Sequence, residues 1–177
     1  MTIKTFNINT DKTAFVRAYL PDSIAGLPFC EKRPAVLIFP GGGYEYCSDR
    51  EGEPIALQYL ALGYAAFVVT YSCNERFPEP LMDAAYIFYK IRMRAEEFKI
   101  DPQKMAVLGC SAGGHLAGCL ATMWSDIALT KTIGCEPEDL RPNAAILCYP
   151  VISGVTAPHE GSFKVLLGED ASRSDLS

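Results

Sequence analysis

Hydrophobic and polar positions change period several times along the chain, and each change marks an element. Over residues 14–20 they alternate, with Ala14, Val16, Ala18 and Leu20 on one face and Phe15, Arg17 and Tyr19 on the other, as in a strand. Asn9-Thr10-Asp11-Lys12 supplies turn chemistry within residues 2–20, so the N-terminus is expected to form a β-hairpin. A loop with Pro21, Asp22, Gly26 and Pro28 leads into Ala35-Val36-Leu37-Ile38-Phe39. That unbroken apolar run reads as a strand buried on both faces, the condition of a parallel strand covered by helices.

Past a glycine-rich loop, Ala56, Tyr59 and Leu60 fall at helical spacing, and Gly63 is placed to end that helix in a left-handed conformation. Residues 64–71 form the next strand. Leu81, Ala84, Ala85, Phe88, Ile91, Ala95 and Phe98 then lie on one stripe of a single long amphipathic helix. Its polar face carries Lys90, Arg92, Arg94 and Glu97, and Asp101-Pro102 breaks it. Met105-Ala106-Val107-Leu108 makes another buried strand, Leu116, Cys119, Leu120 and Met123 mark a helix, and residues 144–149 make one more strand. The tail from residue 153 is rich in Gly, Ser and charge, with a short apolar patch at Phe163, Val165, Leu166 and Leu167, and reads as an unfinished fold.

Two antiparallel strands followed by strand-helix units predict an α/β fold, because parallel neighbours need crossover connections and helices usually supply them. The sheet is expected to be mostly parallel, with helices on both faces, in a single domain over residues 1–177. An apolar fraction of 49% and a charged fraction of 21% are those of a globular chain and exclude disorder. The net charge of −5, with no local Lys/Arg cluster, argues against nucleic acid as a partner. No N-terminal signal pattern and no run of ~20 apolar residues occurs, so no membrane partner and a cytoplasmic location are expected. Seven scattered cysteines without CxxC spacing read as reduced packing residues.

Candidate chemistry lies at two glycine-rich turns. Gly109-Cys110-Ser111-Ala112-Gly113-Gly114 satisfies GxSxG, a pattern that chance supplies in roughly one chain of this length in twenty. Its placement between a buried strand and an amphipathic helix carries the inference, because a sharp strand-to-helix turn exposes the serine hydroxyl. Ser111 is therefore the candidate nucleophile. The free N–H of Ala112, at the helix start, points to where negative charge develops on an attacked carbonyl oxygen. The second turn, Pro40-Gly41-Gly42-Gly43-Tyr44, can aim backbone amides at a substrate, and Gly42 and Gly43 are the candidate oxyanion donors. No Gly-Lys-Ser/Thr follows, so a phosphate-binding loop is not supported. Tyr44 is a candidate wall of the acyl or sugar site, or a packing residue.

These motifs and their flanks resemble the α/β-hydrolase esterase/lipase superfamily, and more closely its acetyl-xylan-esterase-like branch of small carbohydrate esterases and sugar hydrolases. The resemblance runs through Arg50-Glu51, Gly63-Tyr64, Tyr71-Ser72, Ile100-Asp101, Gly109-Cys110-Ser111-Ala112-Gly113-Gly114-His115-Leu116-Ala117, Trp124 and Leu147-Cys148-Tyr149-Pro150-Val151. Pro40 stands where many relatives have His. The resemblance implies a serine esterase that removes short acyl groups, acetyl above all, from carbohydrate without a cofactor. Kynurenine-formamidase-like and general carboxylesterase activities are the alternatives, and a non-catalytic fragment or pseudoenzyme is a third.

The resemblance further implies a triad in the order Ser, Asp or Glu, His, with both later residues beyond residues 144–149. The chain is thus expected to stop before its acid and base, to lack its C-terminal strands and to be inactive alone. The histidines present are His115 and His159. His115, one turn past Ser111, is expected to pack or hydrogen-bond, and similar proteins carry it beside their catalytic histidine. His159 reads as a loop residue that Asp126, Glu136, Glu138 or Asp139 would have to orient before it could act as a base. Asp83 and Asp101 read as helix-boundary and turn residues.

Overall fold

The structure, a computed structural model, describes residues 1–7, 14–23, 32–156 and 158–169. Strands β1 (Thr2–Asn7) and β2 (Phe15–Leu20) pair antiparallel from Thr2 opposite Leu20 to Asn7 opposite Phe15, which is the expected hairpin. Its turn residues, and Gly26 and Pro28 of the next loop, lie outside the described residues. Strands β3 (Arg33–Phe39), β4 (Ala65–Thr70), β5 (Ile100–Cys110) and β6 (Ala144–Cys148) complete a sheet in the order β1-β2-β4-β3-β5-β6, parallel from β4 onward.

The strand order dictates where the helices go. The chain steps from β3 to β4 in one direction along the sheet, and from β4 past β3 to β5 in the other. Right-handed crossovers then put the two connections on opposite faces. Helix α1 (Glu53–Ala61) covers one face, over Tyr19, Val36, Ile38, Ala66 and Leu108. Helices α2 (Glu79–Met93) and α4 (Ala112–Met123) cover the other, where Leu37, Phe39, Phe67, Phe88, Ile91, Leu116 and Leu120 form the larger core. Burial on both faces is why β3 is apolar without alternation.

Four expectations are corrected. The long helix is two: α2 ends at Met93, Arg94 leaves helical geometry at φ −103°, ψ 23°, and α3 (Ala95–Phe98) follows. Lys99, left-handed at φ 53°, ends α3, so Asp101-Pro102 belongs to β5, at a register shift in its pairing with β3. Arg92, assigned to the polar face, is 7% exposed. Its guanidinium donates to the carbonyls of Glu138, Asp139 and Arg141 at 2.8–2.9 Å, serving the end of α6 (Pro137–Leu140), where helical carbonyls lack intrahelical donors. The tail contains a helix, α7 (Glu160–Leu167), which buries Phe163 and Leu166.

Strand β6 pairs with β5 alone among the described residues and leaves Ile146 and Leu147 36% and 40% exposed. No described helix is long and apolar enough to cross a membrane.

Candidate active site

Strands β3 and β5 are neighbours, with Phe39 opposite Gly109, yet they feed helices on opposite faces of the sheet. Their carboxyl ends therefore diverge into a crevice, the place where open α/β sheets bind ligands. The residues that enter it are Pro40-Gly41-Gly42-Gly43 after β3 and Ser111 after β5. Sequence singled out both turns, and the topology brings them together.

Ser111 sits at φ 52°, ψ −119°, a strained backbone for a residue with a side chain. It is held there from both sides. Its N–H donates to the Cys148 carbonyl at 3.0 Å, and its carbonyl accepts from the amides of His115 at 3.0 Å and Val151 at 3.2 Å. The flanking glycines are sterically required. A Cβ on Gly109 would stand 2.0 Å from the Gly113 carbonyl oxygen, and one on Gly113 would stand 2.1 Å from that of Phe39. Neither strand-to-helix contact has room for a side chain. Ala112 is the first residue of α4, so its amide has no helical carbonyl behind it.

The glycine loop abuts the serine. A Cβ on Gly41 would lie 2.9 Å from the Ser111 Cβ. The Gly41 amide donates to Glu51 Oε2 at 2.7 Å, while the Gly41 and Gly42 carbonyls accept from Ser48 and from Glu45 and Tyr46. Gly42 and Gly43, at φ 129° and 66°, turn the chain, and no described residue accepts a hydrogen bond from either amide. The loop that abuts Ser111 thus carries two unused amides, and Ala112 carries a third at the helix start.

Buried side chains brace this loop. Tyr71 Oη donates to the Pro40 carbonyl at 2.7 Å. Tyr44, 2% exposed, does not wall a substrate site: its hydroxyl meets His115 Nδ1 at 2.6 Å. Burial pushes the Tyr44 phenol up and the His115 imidazole down, so the phenol donates and the imidazole is neutral. The proton on His115 then resides on Nε2, 3.6 Å from Cys119 Sγ. With one ring nitrogen accepting from Tyr44 and the other facing Cys119, His115 packs inside the fold.

His159 caps α7, its Nδ1 accepting from the Ser162 amide at 3.3 Å and pairing with Ser162 Oγ at 2.8 Å. The carboxylates considered as its partners have local roles. Asp126 caps α5 (Ile127–Ile133), Glu136 and Asp139 form the capping box of α6, and Glu138 pairs with Arg141. Asp101 lies in β5 rather than in a turn and accepts from the Gln103 amide, whereas Asp83 lies inside α2 rather than at its boundary and accepts from the Ser72 amide at 3.0 Å.

Sequence reasoning missed two contributors. Glu51 accepts from both Gly41 and the Tyr149 hydroxyl, the latter at 2.8 Å, and only its place in the Arg50-Glu51 pair hinted at it. Helix α7 brings the buried Ser162 Oγ to 3.6 Å from where a Gly43 Cβ would stand, and the spacing of Phe163 and Leu166 was its only signal.

A strained serine in a strand-to-helix turn, facing a glycine loop across the switch point of a mostly parallel sheet, is the architecture of an α/β hydrolase. Two solved structures bear this out. An α/β hydrolase from a Medee basin deep-sea metagenome library, MGS-M1, is 44% identical with a TM-score of 0.73, covering 85% of this chain and 57% of that one. The acetyl ester-xyloside bifunctional hydrolase of Caldicellulosiruptor lactoaceticus is 32% identical with a TM-score of 0.77, covering 97% and 64%. Within that fold the chain belongs to the BD-FAE family, which residues 27–153 match. Among characterised relatives, endo-1,4-beta-xylanase B of Butyrivibrio fibrisolvens is 35% identical over 153 residues, and the acetylxylan esterase of Xylanibacter ruminicola is 33% identical over 155. The matches span 82% and 84% of this chain but only 24% and 28% of those proteins.

Proposed function

We propose that the chain is the nucleophile-bearing part of a serine carboxylic-ester hydrolase that removes short acyl groups, chiefly acetyl, from carbohydrate. The observation that carries this reading is the contact of Gly41 with Ser111, which sets the unused amides of Gly42 and Gly43 beside a strained, helix-capping serine. Ser111 Oγ attacks the ester carbonyl while a general base takes its proton. The oxyanion receives hydrogen bonds from the amides of Gly42, Gly43 and Ala112, each worth about 3 kcal/mol in the transition state. The alcohol leaves with a proton returned by the base, and water then cleaves the acyl-enzyme by the same steps in reverse order.

Neither His115 nor His159 is bonded in a way that serves Ser111, so we assign the base and its orienting acid to none of the described residues, in keeping with a chain that spans 57% and 64% of the two solved structures it resembles. This chemistry draws on side chains and amides and calls on no metal or organic cofactor. The sugar-ester preference rests on the relatives, among them an acetylxylan esterase and an acetyl ester-xyloside hydrolase.

The test uses the whole protein. A chromogenic acetate ester is expected to give a burst followed by steady turnover, acetate is expected to exceed longer acyl chains, and acetylated xylo-oligosaccharides are expected to release acetate. Ser111→Ala is expected to lower kcat at least ~10³-fold. Turnover by Ser111→Ala close to that of the unmodified protein, or robust Ser111-dependent turnover by residues 1–177 alone, overturns the assignment of nucleophile or of base.

A further inference from the structure

Two half-buried cysteines meet at the back of the glycine loop. Cys47 leaves that loop, Cys73 follows β4, and their sulfurs are 3.7 Å apart. Both lie within reach of the Tyr71 carbonyl, Cys73 Sγ at 3.5 Å and Cys47 Sγ at 3.9 Å. The backbones around them are already tied together. The Asn74 amide donates to the Tyr44 carbonyl at 2.7 Å, Asn74 Nδ2 to the Glu45 carbonyl at 2.9 Å, and Tyr71 Oη to the Pro40 carbonyl. Both side chains keep partial exposure, and Cys47 with Pro40, Ser48 and Asp49 lines a cleft of ≈ 850 Å³.

We propose that Cys47 and Cys73 are a redox-active dithiol, which hydrogen peroxide converts to a reversible disulfide linking the glycine loop to the end of β4. The sulfurs must close by under 2 Å to reach the bonded separation of about 2.05 Å, within the range of side-chain rotation while the backbone bridges hold. The two thiols are not equivalent. A hydrogen bond from Cys47 pulls Cys73 below the ordinary thiol value, against desolvation and the negative charge of Asp83, whereas Cys47 is pushed up. Cys73 is therefore the thiolate that attacks, and Cys47 resolves.

The Cys73 thiolate attacks one peroxide oxygen, the O–O bond breaks, and the leaving hydroxide takes a proton to become water, which leaves a sulfenic acid on Cys73. Cys47 sulfur then attacks Cys73 sulfur, giving up its proton as the sulfenic oxygen departs as a second water. The dithiol loses two electrons and two protons, and the peroxide gains them. A dithiol reductant restores both thiols.

The sheet provides an internal comparison. Cys110 and Cys148 face each other across β5 and β6 and their thiols interact, but Cys110 is only 2% exposed, which shields that pair from a dissolved oxidant. Proximity to oxidant and to a partner thiol thus singles out Cys47 and Cys73.

The experiment reads thiols and mass, so it is independent of hydrolysis and of the function proposed above. The folded chain is treated with hydrogen peroxide, alkylated and digested. Titratable thiols are expected to fall from the seven of the sequence to five, with a mass loss of two hydrogens, a linked Cys47–Cys73 peptide and full recovery with dithiothreitol. The urea-unfolded chain is expected to give mixed pairings. Cys47→Ser is expected to replace the linked peptide by an oxygen adduct on Cys73, which dimedone traps. A link through other cysteines in the folded chain, independent oxygen adducts on Cys47 and Cys73, or no change at peroxide levels that oxidise free cysteine each overturns the proposal.

Discussion

The Gly41 amide donates to Glu51 Oε2 at 2.7 Å, and the other oxygen of that carboxylate accepts from Tyr149. One side chain, delivered by the short turn before α1, therefore holds the first glycine of the loop against Ser111. It also occupies the Gly41 amide, which leaves the amides of Gly42 and Gly43 as the proposed oxyanion donors. Under that proposal Glu51 is a positioning residue for them.

Glu51→Ala is expected to lower kcat of the complete protein ~5–30-fold at nearly constant KM, a loss of about 1–2 kcal/mol of transition-state stabilisation. Glu51→Gln keeps one acceptor and is expected to fall between the two. Steady-state kinetics on an acetate ester check this, and a rise in KM with unchanged kcat would assign Glu51 to substrate binding instead.

Gly109 of the strand-to-helix turn and Gly134 at the end of α5 separate steric need from conformational need. Gly109→Ala drives a Cβ to 2.0 Å from a backbone oxygen, and Gly134→Ala places one in open space at φ 76°. The first is expected to cost about 4 kcal/mol or more, or to prevent folding. The second costs ~1 kcal/mol, the strain of a left-handed alanine. Urea denaturation midpoints distinguish them.

Strain at Ser111 links stability to function. Ser111→Gly removes the Cβ at φ 52°, ψ −119° and is expected to stabilise the fold by ~1 kcal/mol, the relief exceeding glycine's added freedom in the unfolded chain. Ser111→Ala retains the Cβ and should leave the denaturation midpoint near its original value. Both are expected to abolish ester hydrolysis. Equal midpoints for the glycine and alanine variants would count against stored strain.

Burial pushes the His115 imidazole below its usual 6.5. The unfolded chain therefore binds a proton more readily than the folded one. The stabilising contribution of neutral His115 is present above about pH 6.5 and is lost as pH falls through the folded value, with a slope of at most ~1.4 kcal/mol per pH unit. Denaturation midpoints measured from pH 7.5 to pH 5 should show this decline, and His115→Gln should flatten it.

Hairpin, buried strands and both glycine turns were legible because local chemistry dictates them: alternation for β2, apolar continuity for β3, and glycine where backbones touch at Gly109 and Gly113. Misreadings arose where a distant segment reassigned a residue. Arg92 follows its helix period onto the polar face, yet the end of α6 supplies three carbonyls and buries it. Tyr44 beside three glycines leaves a site wall and a packing role equally open in the sequence, and His115, 71 positions away, decides for packing by drawing its hydroxyl inward. The Phe163–Leu166 patch is too short to predict a helix, and α7 forms where the core and the Phe77 amide receive it.

By itself the amino-acid sequence determined the fold class, the strand-turn-helix around Ser111 and the glycine loop after β3, since period, turn chemistry and steric limits act over a few residues. Only the tertiary structure decided that the two turns meet, that Glu51 clamps Gly41, that His115 is engaged by Tyr44, and that Cys47 faces Cys73. Those outcomes depend on strand order and on which faces the crossovers take. Such choices are made by the burial of whole elements, and a residue's neighbours in sequence do not encode them.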